Sequence, residues 1–356
     1  MAETYNSLPR AFFYSEGRSS MRIKEAIISL SKKDDLNYDT ALEVMDEIMS
    51  GKASPVQMSA YLTALSLKGE TITEITASAA GMRSHCVRLL HDVDALEIVG
   101  TGGDFAGSFN ISTAAAIITA AAGVPVAKHG NRSASSNCGA ADVLEAVGVN
   151  INVPPEKSAE LLKEINICFL FAQNYHIAMK YVAPIRRELG IRTVFNILGP
   201  LTNPAGAKME LLGVYDRELV EPLAQVLCNL GVKSAMVVHG QDGMDEISIG
   251  EPTYVCEIKD GWVKSYTITP EQFGIKRSNK EALQGGSAKE NAEILKAVLS
   301  GAKGPKRDAA VLNAAAALYI TGKYASIADS LKMANAVIDD GRAIKKLEDF
   351  IRLSNQ

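Results

Sequence analysis

Cysteine is scarce in this chain of 356 residues, and the few cysteines show no pattern. There are five of them, scattered along the sequence: Cys86, Cys138, Cys168, Cys228 and Cys256. An odd, dispersed set argues against a disulfide-stapled domain, and no two of these residues have the spacing of metal ligands. Free thiols are typical of a reducing compartment, so we expect a cytoplasmic protein.

A long apolar segment and an excess of basic charge are also missing. No stretch of the sequence has the length and apolarity of a membrane span, and no signal-peptide pattern occurs. The 41 acidic residues outnumber the 37 lysines and arginines, which gives a formal net charge of -4. A chain with this balance has no global field that would draw it to nucleic acid or to a membrane surface. We therefore expect neither as a partner.

The overall composition is that of an ordinary globular protein. Hydrophobic residues make up 47% of the chain and charged residues 22%, which is enough apolar material for a large core. The length allows two domains or one large domain. Residues before Met21 are mixed and aperiodic, so we interpret 1–20 as an N-terminal extension and a candidate for disorder.

The segment 21–90 has the pattern of short amphipathic helices. One helix has apolar residues on one face and stops at Gly51. Capping boxes that begin at Ser54 and Thr71 open two more helices. One short helical layer cannot hide these apolar faces, so we expect the layer to pack against a partner subunit.

After residue 90 the pattern changes to alternating strands and helices. Strands are predicted at 96–99, 124–127, 168–171, 211–215 and 235–239, with helices at 111–122, 140–147, 155–165 and 217–230. This alternation is typical of a largely parallel sheet covered by helices. Segments 253–258 and 262–268 flank Lys259-Asp260-Gly261 and predict an antiparallel hairpin, which makes the sheet mixed. Helices return at 292–299, 308–319 and 326–339.

A glycine-rich turn joins the first predicted strand to an Ala-rich helix. Its sequence is Val99-Gly100-Thr101-Gly102-Gly103-Asp104, and we call residues 100–104 the glycine loop. Glycines let the backbone approach a ligand closely, and the free N–H groups of a helix N-terminus bind anions, so the pattern predicts a phosphate site. The loop lacks both the Lys-Ser/Thr of a Walker motif and the third glycine of a dinucleotide fingerprint. By itself, a tight turn chosen for its geometry explains it equally well.

Two later loops carry side chains that suit a phosphorylated ligand. Residues 128–136, Lys128-His129-Gly130-Asn131-Arg132-Ser133-Ala134-Ser135-Ser136, follow the second predicted strand and offer cations and hydroxyls to a polyphosphate. Asp245 and Glu246, the acid pair, follow the fifth strand and are hard oxygen ligands of the kind that Mg²⁺ prefers. A solvated basic turn and a solvated acidic face are the respective alternatives.

Two further candidates lie between these loops. The guanidinium of Arg186 can clamp a carboxylate through two parallel hydrogen bonds. Taken singly, Arg186 is better interpreted as a surface charge than as a ligand of a carboxylate. His176 is better interpreted as a structural histidine than as a catalyst.

The motifs taken together resemble a known family. They are Gly100-Thr101-Gly102-Gly103-Asp104, Asn110-Ile111-Ser112-Thr113, Lys128-His129-Gly130-Asn131-Arg132-Ser133, Asn196-Ile197-Leu198-Gly199-Pro200-Leu201-Thr202-Asn203-Pro204 and Asp245-Glu246. In this order and spacing the sequence resembles the anthranilate phosphoribosyltransferases, which are related in fold to the pyrimidine nucleoside phosphorylases. The likeness covers nearly the whole chain from Met21.

The resemblance implies an α/β fold in which a small N-terminal helical domain is hinged to a larger α/β domain. The larger domain would have a central mixed, mostly parallel sheet with helices on both faces. On this sequence the helical domain spans 21–92, with 176–205 packing on it, and the α/β domain spans 93–175 and 206–356. The resemblance also implies a homodimer formed through the helical domain.

The reaction implied by the resemblance joins anthranilate to 5-phosphoribosyl 1-pyrophosphate (PRPP). The amine of anthranilate receives the 5-phosphoribosyl group, which gives N-(5-phosphoribosyl)anthranilate and pyrophosphate, in tryptophan biosynthesis. Two Mg²⁺ ions are expected to bind together with PRPP or pyrophosphate. No residue is identified as a certain catalyst; Lys128 and Arg186 are expected to act by electrostatics and positioning.

Residue by residue, the resemblance assigns three sets of ligands. The expected PRPP ligands are Gly100, Gly103, Asp104, Ser108, Asn110, Ile111, Ser112, Thr113, Lys128, His129, Gly130, Asn131, Arg132, Ser133, Ala134, Ser135, Ser136 and Ala140. The expected anthranilate ligands are Gly100, Asn131, His176 and Arg186. The expected Mg²⁺ ligands are Ser112, Asp245 and Glu246.

The sequence departs from the family pattern at three positions. Ser108 replaces a usual threonine and keeps its hydroxyl, so phosphate binding should be little affected. Gln173 and Ile177 replace usual prolines beside the expected channel for the aromatic acid, and they can alter its shape.

Two other functions remain open at this point. A pyrimidine nucleoside phosphorylase would share the fold, although its phosphate loops differ from residues 128–131. A nucleic-acid-binding relative would need a basic face and would not need the acid pair.

Overall fold

Four helices form the N-terminal part of the molecule. The structure, a computed structural model, describes residues 22–133 and 137–356. The four helices are α1 (Arg22–Ser31), α2 (Tyr38–Met49), α3 (Pro55–Lys68) and α4 (Ile72–Ser84). Both predicted capping boxes are present, because the side chains of Ser54 and Thr71 accept hydrogen bonds at the starts of α3 and α4. Helix α1 adds one helix to the three that the capping pattern predicted.

A seven-stranded mixed sheet lies at the centre of the rest of the chain. Its strands are β1 (Leu96–Gly100), β2 (Val126–Gly130), β3 (Ile167–Phe171), β4 (Met209–Gly213), β5 (Ser234–Gly240), β6 (Thr253–Lys259) and β7 (Trp262–Ile268). Their order is β3-β2-β1-β4-β5-β6-β7. The first five strands in this order are parallel, whereas β6 and β7 form the predicted antiparallel hairpin. The predicted fold class is confirmed.

Further helices follow from residue 111 onwards, and several of them pack on the sheet. They are α5 (Ile111–Ala121), α6 (Ala140–Val147), α7 (Pro155–Ile165), α8 (Ala172–Tyr175), α9 (Ala183–Leu189), α10 (Phe195–Leu198), α11 (Val220–Asn229), α12 (Ala288–Leu299), α13 (Pro305–Ile320), α14 (Ile327–Asp339) and α15 (Arg342–Ser354). Short 3₁₀ turns occur at Ile177–Tyr181, Pro200–Thr202, Arg217–Leu219, Pro270–Phe273 and Lys280–Leu283. Helix α15 was not predicted, and the predicted helix 217–230 divides into a 3₁₀ turn and α11.

The second strand begins two residues later and ends three residues later than its sequence pattern indicated. We predicted a strand at 124–127 followed by a loop, but β2 includes Lys128, His129 and Gly130. The prediction was wrong because a lysine inside a sheet breaks the apolar pattern. In the structure Lys128 is buried, and its Nζ donates a hydrogen bond to the carbonyl oxygen of Ile98 on β1, 2.7 Å away. The fourth strand is shifted the other way, to Met209–Gly213.

Two hydrophobic clusters hold these layers together. The first joins β1, β2 and β3 to the alanine-rich helices α5 and α13 and to the C-terminal helices. The second joins α1–α4 to α11, to one face of β4 and β5, and to residues of the segment 182–201. Small alanines let α5 and α13 approach each other and the sheet closely. Within the described ranges, no helix is long and apolar enough to cross a membrane.

Candidate active site

The glycine loop lies at the carboxyl end of β1, the edge at which open α/β sheets bind ligands. Gly100 pairs in register with Gly213 of β4, and the N–H of Thr101 donates to the carbonyl oxygen of Gly213 at 2.9 Å. Gly102 and Gly103 follow with φ angles of 68° and 76°. Residues with a side chain are strained in this left-handed region, so these two positions favour glycine.

The acid pair lies directly against the glycine loop. The Asp245 carboxylate accepts a hydrogen bond from the N–H of Gly102 at 2.7 Å. A methyl group on Gly100 would collide with this carboxylate, and one on Gly213 would collide with the main chain of Asp245. Gly100 and Gly213 therefore make room for the acid pair. The sequence alone showed only that the acid pair is on a loop far along the chain from the glycine loop.

Negative charge is concentrated where these loops meet. Burial and the nearby charge of Asp104 raise the pKa of Asp245 to about 7. Burial and the charge of Asp245 likewise hold the pKa of Glu246 well above its ordinary value. The Glu246 carboxylate also accepts a hydrogen bond from the N–H of Ser112 in the first turn of α5. The structure thus brings together the three predicted metal ligands, and it adds Asp104 beside them.

This donor set fits a magnesium ion bound with a phosphorylated ligand. Among the described residues no cluster of three or more histidine, cysteine or acidic side chains surrounds one point. Mg²⁺ does not need one, because it is usually held by one or two carboxylates, with phosphate oxygens and water completing the octahedron. Burial raises the pKa of both carboxyl groups of the acid pair, and a divalent cation held against them would favour their charged forms.

Lys128 is the cation nearest to this acidic cluster. Its Nζ lies 3.3 Å from the hydroxyl oxygen of Ser112, in addition to its bond to β1. Burial lowers the pKa of Lys128, and the charges of Glu97 and of the acid pair oppose the lowering. The predicted grouping of Lys128 with Ser112 and the acid pair is therefore present in the structure.

The loop after β2 is held by a carboxylate of α6. Asp142 accepts hydrogen bonds from the N–H groups of Ser133 and Gly139, both at 2.9 Å. The guanidinium of Arg132 is paired with Asp142 and Glu145, so the structure directs it towards α6. Of the predicted ligands, Ala134, Ser135 and Ser136 lie outside the described residues, as do residues 1–20.

The remaining predicted phosphate ligands surround the N-terminus of α5. Ser108 lies in the loop before α5 and forms an isolated β-bridge with Gln284. The side chain of Asn110 bonds to the carbonyl oxygen of Cys138 and to Asn291, so it fixes this loop. The side chains of Ile111 and Thr113 are buried, which leaves Ser112 as the accessible side chain of the turn. Ala140 begins α6 behind Gly130.

Two buried histidines pack against each other beside β2. The ring centroids of His129 and His176 are 5.0 Å apart. Burial lowers the pKa of His129 to about 3 and that of His176 to about 4, so both imidazoles are neutral at physiological pH. Among the described residues neither Nε2 atom has a hydrogen-bond partner. The structure thus brings His176 next to β2. A neutral imidazole there can donate or accept a hydrogen bond.

Arg186 lies on α9 and is half-buried. Its guanidinium carbon is 5.6 Å from the centre of the Phe195 ring. Burial alone lowers its pKa, and no acidic group within 22–133 or 137–356 opposes that lowering. An unpaired, partly buried guanidinium is suited to a planar carboxylate from outside the chain. The side chain of Asn131, at the end of β2, is exposed and accepts a hydrogen bond from the N–H of Arg132.

Sequence reasoning assigned no role to three residues that contact this site. Arg192 donates to the carbonyl oxygen of Gly103 at 2.8 Å, and nothing in its local sequence marks it. Glu97 and Asn203 form a buried network beside Lys128. A carboxylate within the apolar strand Leu96–Gly100 is a sequence feature that identifies Glu97 as unusual.

Comparison with known protein families covers both parts of the chain. The model described as the a/b domain of a glycosyl transferase family matches residues 92–344. The model described as the helical bundle domain of the same family matches residues 24–86.

Individual relatives agree with these matches. An anthranilate phosphoribosyltransferase from Methanobrevibacter smithii is 65% identical over 333 residues, which are 94% of this chain and 99% of the relative. The crystal structure of the anthranilate phosphoribosyltransferase from Thermus thermophilus has a TM-score of 0.89 and 45% identity, with 95% of this chain and 100% of that chain covered. The Saccharomyces cerevisiae enzyme in complex with PRPP and Mg has a TM-score of 0.87 and 28% identity, with 95% and 99% covered.

Proposed function

This chain belongs to the anthranilate phosphoribosyltransferase family, and we propose that the glycine loop, residues 128–136 and the acid pair form its active site. The protein transfers the 5-phosphoribosyl group of PRPP to the amine of anthranilate, giving N-(5-phosphoribosyl)anthranilate and pyrophosphate, in tryptophan biosynthesis. The observation that carries the site assignment is the hydrogen bond between Asp245 and Gly102, which joins the acid pair to the glycine loop.

PRPP is proposed to bind between the glycine loop and the N-terminus of α5. Backbone N–H groups of the loop and of the first helical turn face its phosphates, and the positive end of the helix dipole favours their charge. The ammonium of Lys128 and the hydroxyl of Ser112 lie next to each other at this point. Arg132 is proposed to contribute through its main chain, because its guanidinium is paired with Asp142 and Glu145.

Magnesium is proposed to be held by Ser112 and the acid pair. When bound, Mg²⁺ supplies positive charge that stabilises the pyrophosphate as its bond to the ribose breaks. A structure of the yeast relative contains PRPP and Mg. Two ions, our finer proposal, are supported by a third carboxylate, Asp104, beside Asp245.

Anthranilate is proposed to approach from the side of the molecule that carries Arg186. The guanidinium would hold the carboxylate of anthranilate. Asn131 and the neutral His176 would contact the aromatic ring of anthranilate and its amine. Positive charge builds on the ribose as pyrophosphate leaves, and Lys128 stabilises the departing negative charge. The amine is neutral and can attack without first losing a proton, so no strong base is needed, and positioning by Arg186 would supply much of the rate. Closure of the helical domain on a hinge would exclude water.

A fluorescence assay tests this function directly. Anthranilate is fluorescent, and its signal should fall when PRPP and Mg²⁺ are added to the protein. The control mixture contains thymidine and phosphate, the substrates of a pyrimidine nucleoside phosphorylase. Release of thymine with no consumption of anthranilate would overturn the assignment.

The glycine loop provides a sharper test of the PRPP site. Gly103→Ala places a methyl group where we propose that the backbone faces a phosphate, so we expect the KM for PRPP to rise about ten- to hundredfold. The left-handed φ of 76° adds a strain of about 1–2 kcal/mol. Gly123→Ala is the matched control, because Gly123 has a φ of 85° and lies at the other end of α5. Equal loss of stability with an unchanged KM in both variants would show that Gly103 only forms a turn.

We also propose a homodimer formed through the N-terminal helices. Large apolar side chains are exposed on the outer side of α1 and α3: Ile28 is 57% exposed, Val56 79% and Leu67 81%. Leu67 also lines a hollow between the two helices, together with Leu30 and Ala64. A second copy of this surface would bury these side chains, which water otherwise surrounds.

Leu67→Glu should therefore dissociate the dimer, because it would bury an unpaired charge in the interface. Sedimentation at micromolar concentration should show a dimer for the wild type and a monomer for this variant. Leu90→Glu is the control, since Leu90 is equally exposed but lies outside α1–α4. A wild-type monomer, or dissociation by both substitutions, would contradict the proposed interface.

Two further assignments stay proposals. The division into a helical domain at 21–92 with 176–205 and an α/β domain is supported by the two family matches at 24–86 and 92–344. A cytoplasmic location is supported by the five cysteines, none of which forms a disulfide in the part of the chain that the structure describes.

A further inference from the structure

The central sheet is open between two neighbouring strands. β1 and β2 are paired in register only at Leu96 and Val126, close to their starts. In contrast, β1 pairs with β4 along its whole length, and β2 pairs in the same way with β3. Buried backbone groups need hydrogen-bond partners, so the rest of this seam must be satisfied by side chains.

Two charged side chains lie in the open part of the seam. The carboxylate of Glu97 accepts hydrogen bonds from the N–H of Ile98 on its own strand and from the N–H of His129 on β2, each at 3.0 Å. The ammonium of Lys128 donates to the carbonyl oxygen of Ile98 at 2.7 Å. These bonds take the place of the missing strand pairing.

Asn203 completes the network from the segment that also carries α9 and α10. Its Nδ2 donates to the carboxylate of Glu97 and to the carbonyl oxygen of Ala127, 2.8 Å away. Its Oδ1 accepts a hydrogen bond from the N–H of Ala205, also at 2.8 Å. Glu97 is fully buried and Asn203 almost fully, so water does not compete for these bonds.

The open seam determines where Lys128 can reach. Regular pairing of β1 and β2 would give the Ile98 carbonyl oxygen a backbone N–H as its partner in place of the Lys128 ammonium. Because the strands are not paired here, the Lys128 ammonium bonds to Ile98 on β1, and it comes within 3.3 Å of the Ser112 hydroxyl. A buried ammonium needs a compensating charge, and Glu97 is a carboxylate that interacts with Lys128.

We propose that Glu97 and Asn203 are positioning residues for the transfer reaction, because they keep the seam open and direct Lys128 towards the pyrophosphate of PRPP. This inference rests on the proposed function, which assigns Lys128 to that pyrophosphate. Neither side chain contacts the substrate in this proposal; both act through Lys128 and the end of β2. Their loss should therefore affect PRPP much more than anthranilate.

Glu97→Gln tests the proposal with little change of shape. The amide removes the compensating charge and turns one acceptor into a donor that faces other N–H groups. We expect kcat/KM for PRPP to fall about ten- to hundredfold, with the KM for anthranilate changed less than threefold. Glu210→Gln is the matched control, since Glu210 lies opposite Glu97 in register on β4 and is equally buried. It should leave both constants close to the wild type.

A double-mutant cycle with Lys128→Met separates positioning from general stability. If Glu97 acts through Lys128, adding Glu97→Gln to Lys128→Met should cause little further loss, because the group being positioned is already absent. If the fold losses of the two single variants multiply in the double variant, the residues act independently and the proposal is overturned. If the wild type converts PRPP and anthranilate, equal effects of Glu97→Gln and Glu210→Gln would also overturn the proposal.

A second variant keeps the test decisive if Glu97→Gln does not fold. Asn203→Ala removes two donations from the network and leaves Glu97 in place, and the same selective loss for PRPP and the same coupling to Lys128→Met are expected. Independent effects of Asn203→Ala and Lys128→Met would overturn the proposal. A wild type that fails to convert PRPP and anthranilate would instead refute the proposed function itself.

Discussion

Replacing Asp245 and Glu246 together by alanine is expected to lower turnover about a hundred- to a thousandfold while leaving the fold intact. The acid pair supplies the carboxylates that we propose for Mg²⁺, and losing one preorganised electrostatic group of this kind typically costs that much. Stability should hold, because burial and the neighbouring carboxylates raise the pKa of both side chains, so their charged forms are unfavourable in the folded protein without a cation. Initial rates across a Mg²⁺ titration and thermal melting measure the two effects.

The outcome for the acid pair depends on a suitable control. Glu251→Ala removes an exposed carboxylate from the segment that follows the same loop, where it pairs with Arg277. This variant should keep the wild-type rate and the wild-type dependence on Mg²⁺. Chelation of Mg²⁺ should bring the wild type down to the level of the double variant. Near wild-type activity of the double variant at limiting Mg²⁺ would rule out the acid pair as metal ligands.

Much of the fold was accessible from sequence because its patterns are local. Capping boxes at Ser54 and Thr71 begin α3 and α4, and helices α6 and α7 have the predicted bounds. The alternation of strands and helices predicted the parallel part of the sheet, and the turn at Lys259-Asp260-Gly261 predicted the hairpin. In each of these cases neighbouring residues contain the information that determines the element.

The sequence was misleading where long-range contacts offset an unfavourable local pattern. Lys128 and Gly130 appeared to end a strand, but β2 continues through them because Lys128 bonds across the open seam to Ile98. Glu97 appeared only as one polar residue in an apolar strand, and its partners Asn203 and His129 are far away in the chain. No periodicity reveals such pairs before the fold is known.

The same limit applies to the candidate site. Motif order placed Ser112, Lys128 and the acid pair in one site, and the structure brings these residues together. The motif order did not indicate that the Arg132 guanidinium is paired with α6, or that Arg192 reaches the glycine loop. An arginine has a long, flexible side chain, so its sequence position does not determine which partner its charge meets.

Arg186→Ala is expected to raise the KM for anthranilate about ten- to hundredfold and to leave the KM for PRPP nearly unchanged. A charge-assisted contact with a carboxylate is typically worth about 1.5–3 kcal/mol, and about 1.4 kcal/mol is a factor of ten. The structure favours this role over that of a surface charge, because Arg186 is half-buried against Phe195. Burial also lowers its pKa, and no acidic group among the described residues opposes this shift. Both KM values should be measured in the same variant.

Two neighbouring substitutions distinguish carboxylate recognition from charge alone. Arg186→Lys keeps the positive charge but loses the planar fork, so it should recover only part of the affinity for anthranilate. Arg187→Ala removes an exposed charge one position along α9 and should change neither KM. An equal loss for both substrates in Arg186→Ala would indicate damage to the fold or to domain closure. No loss for either substrate would make Arg186 a surface charge, and the carboxylate of anthranilate would then need another cation.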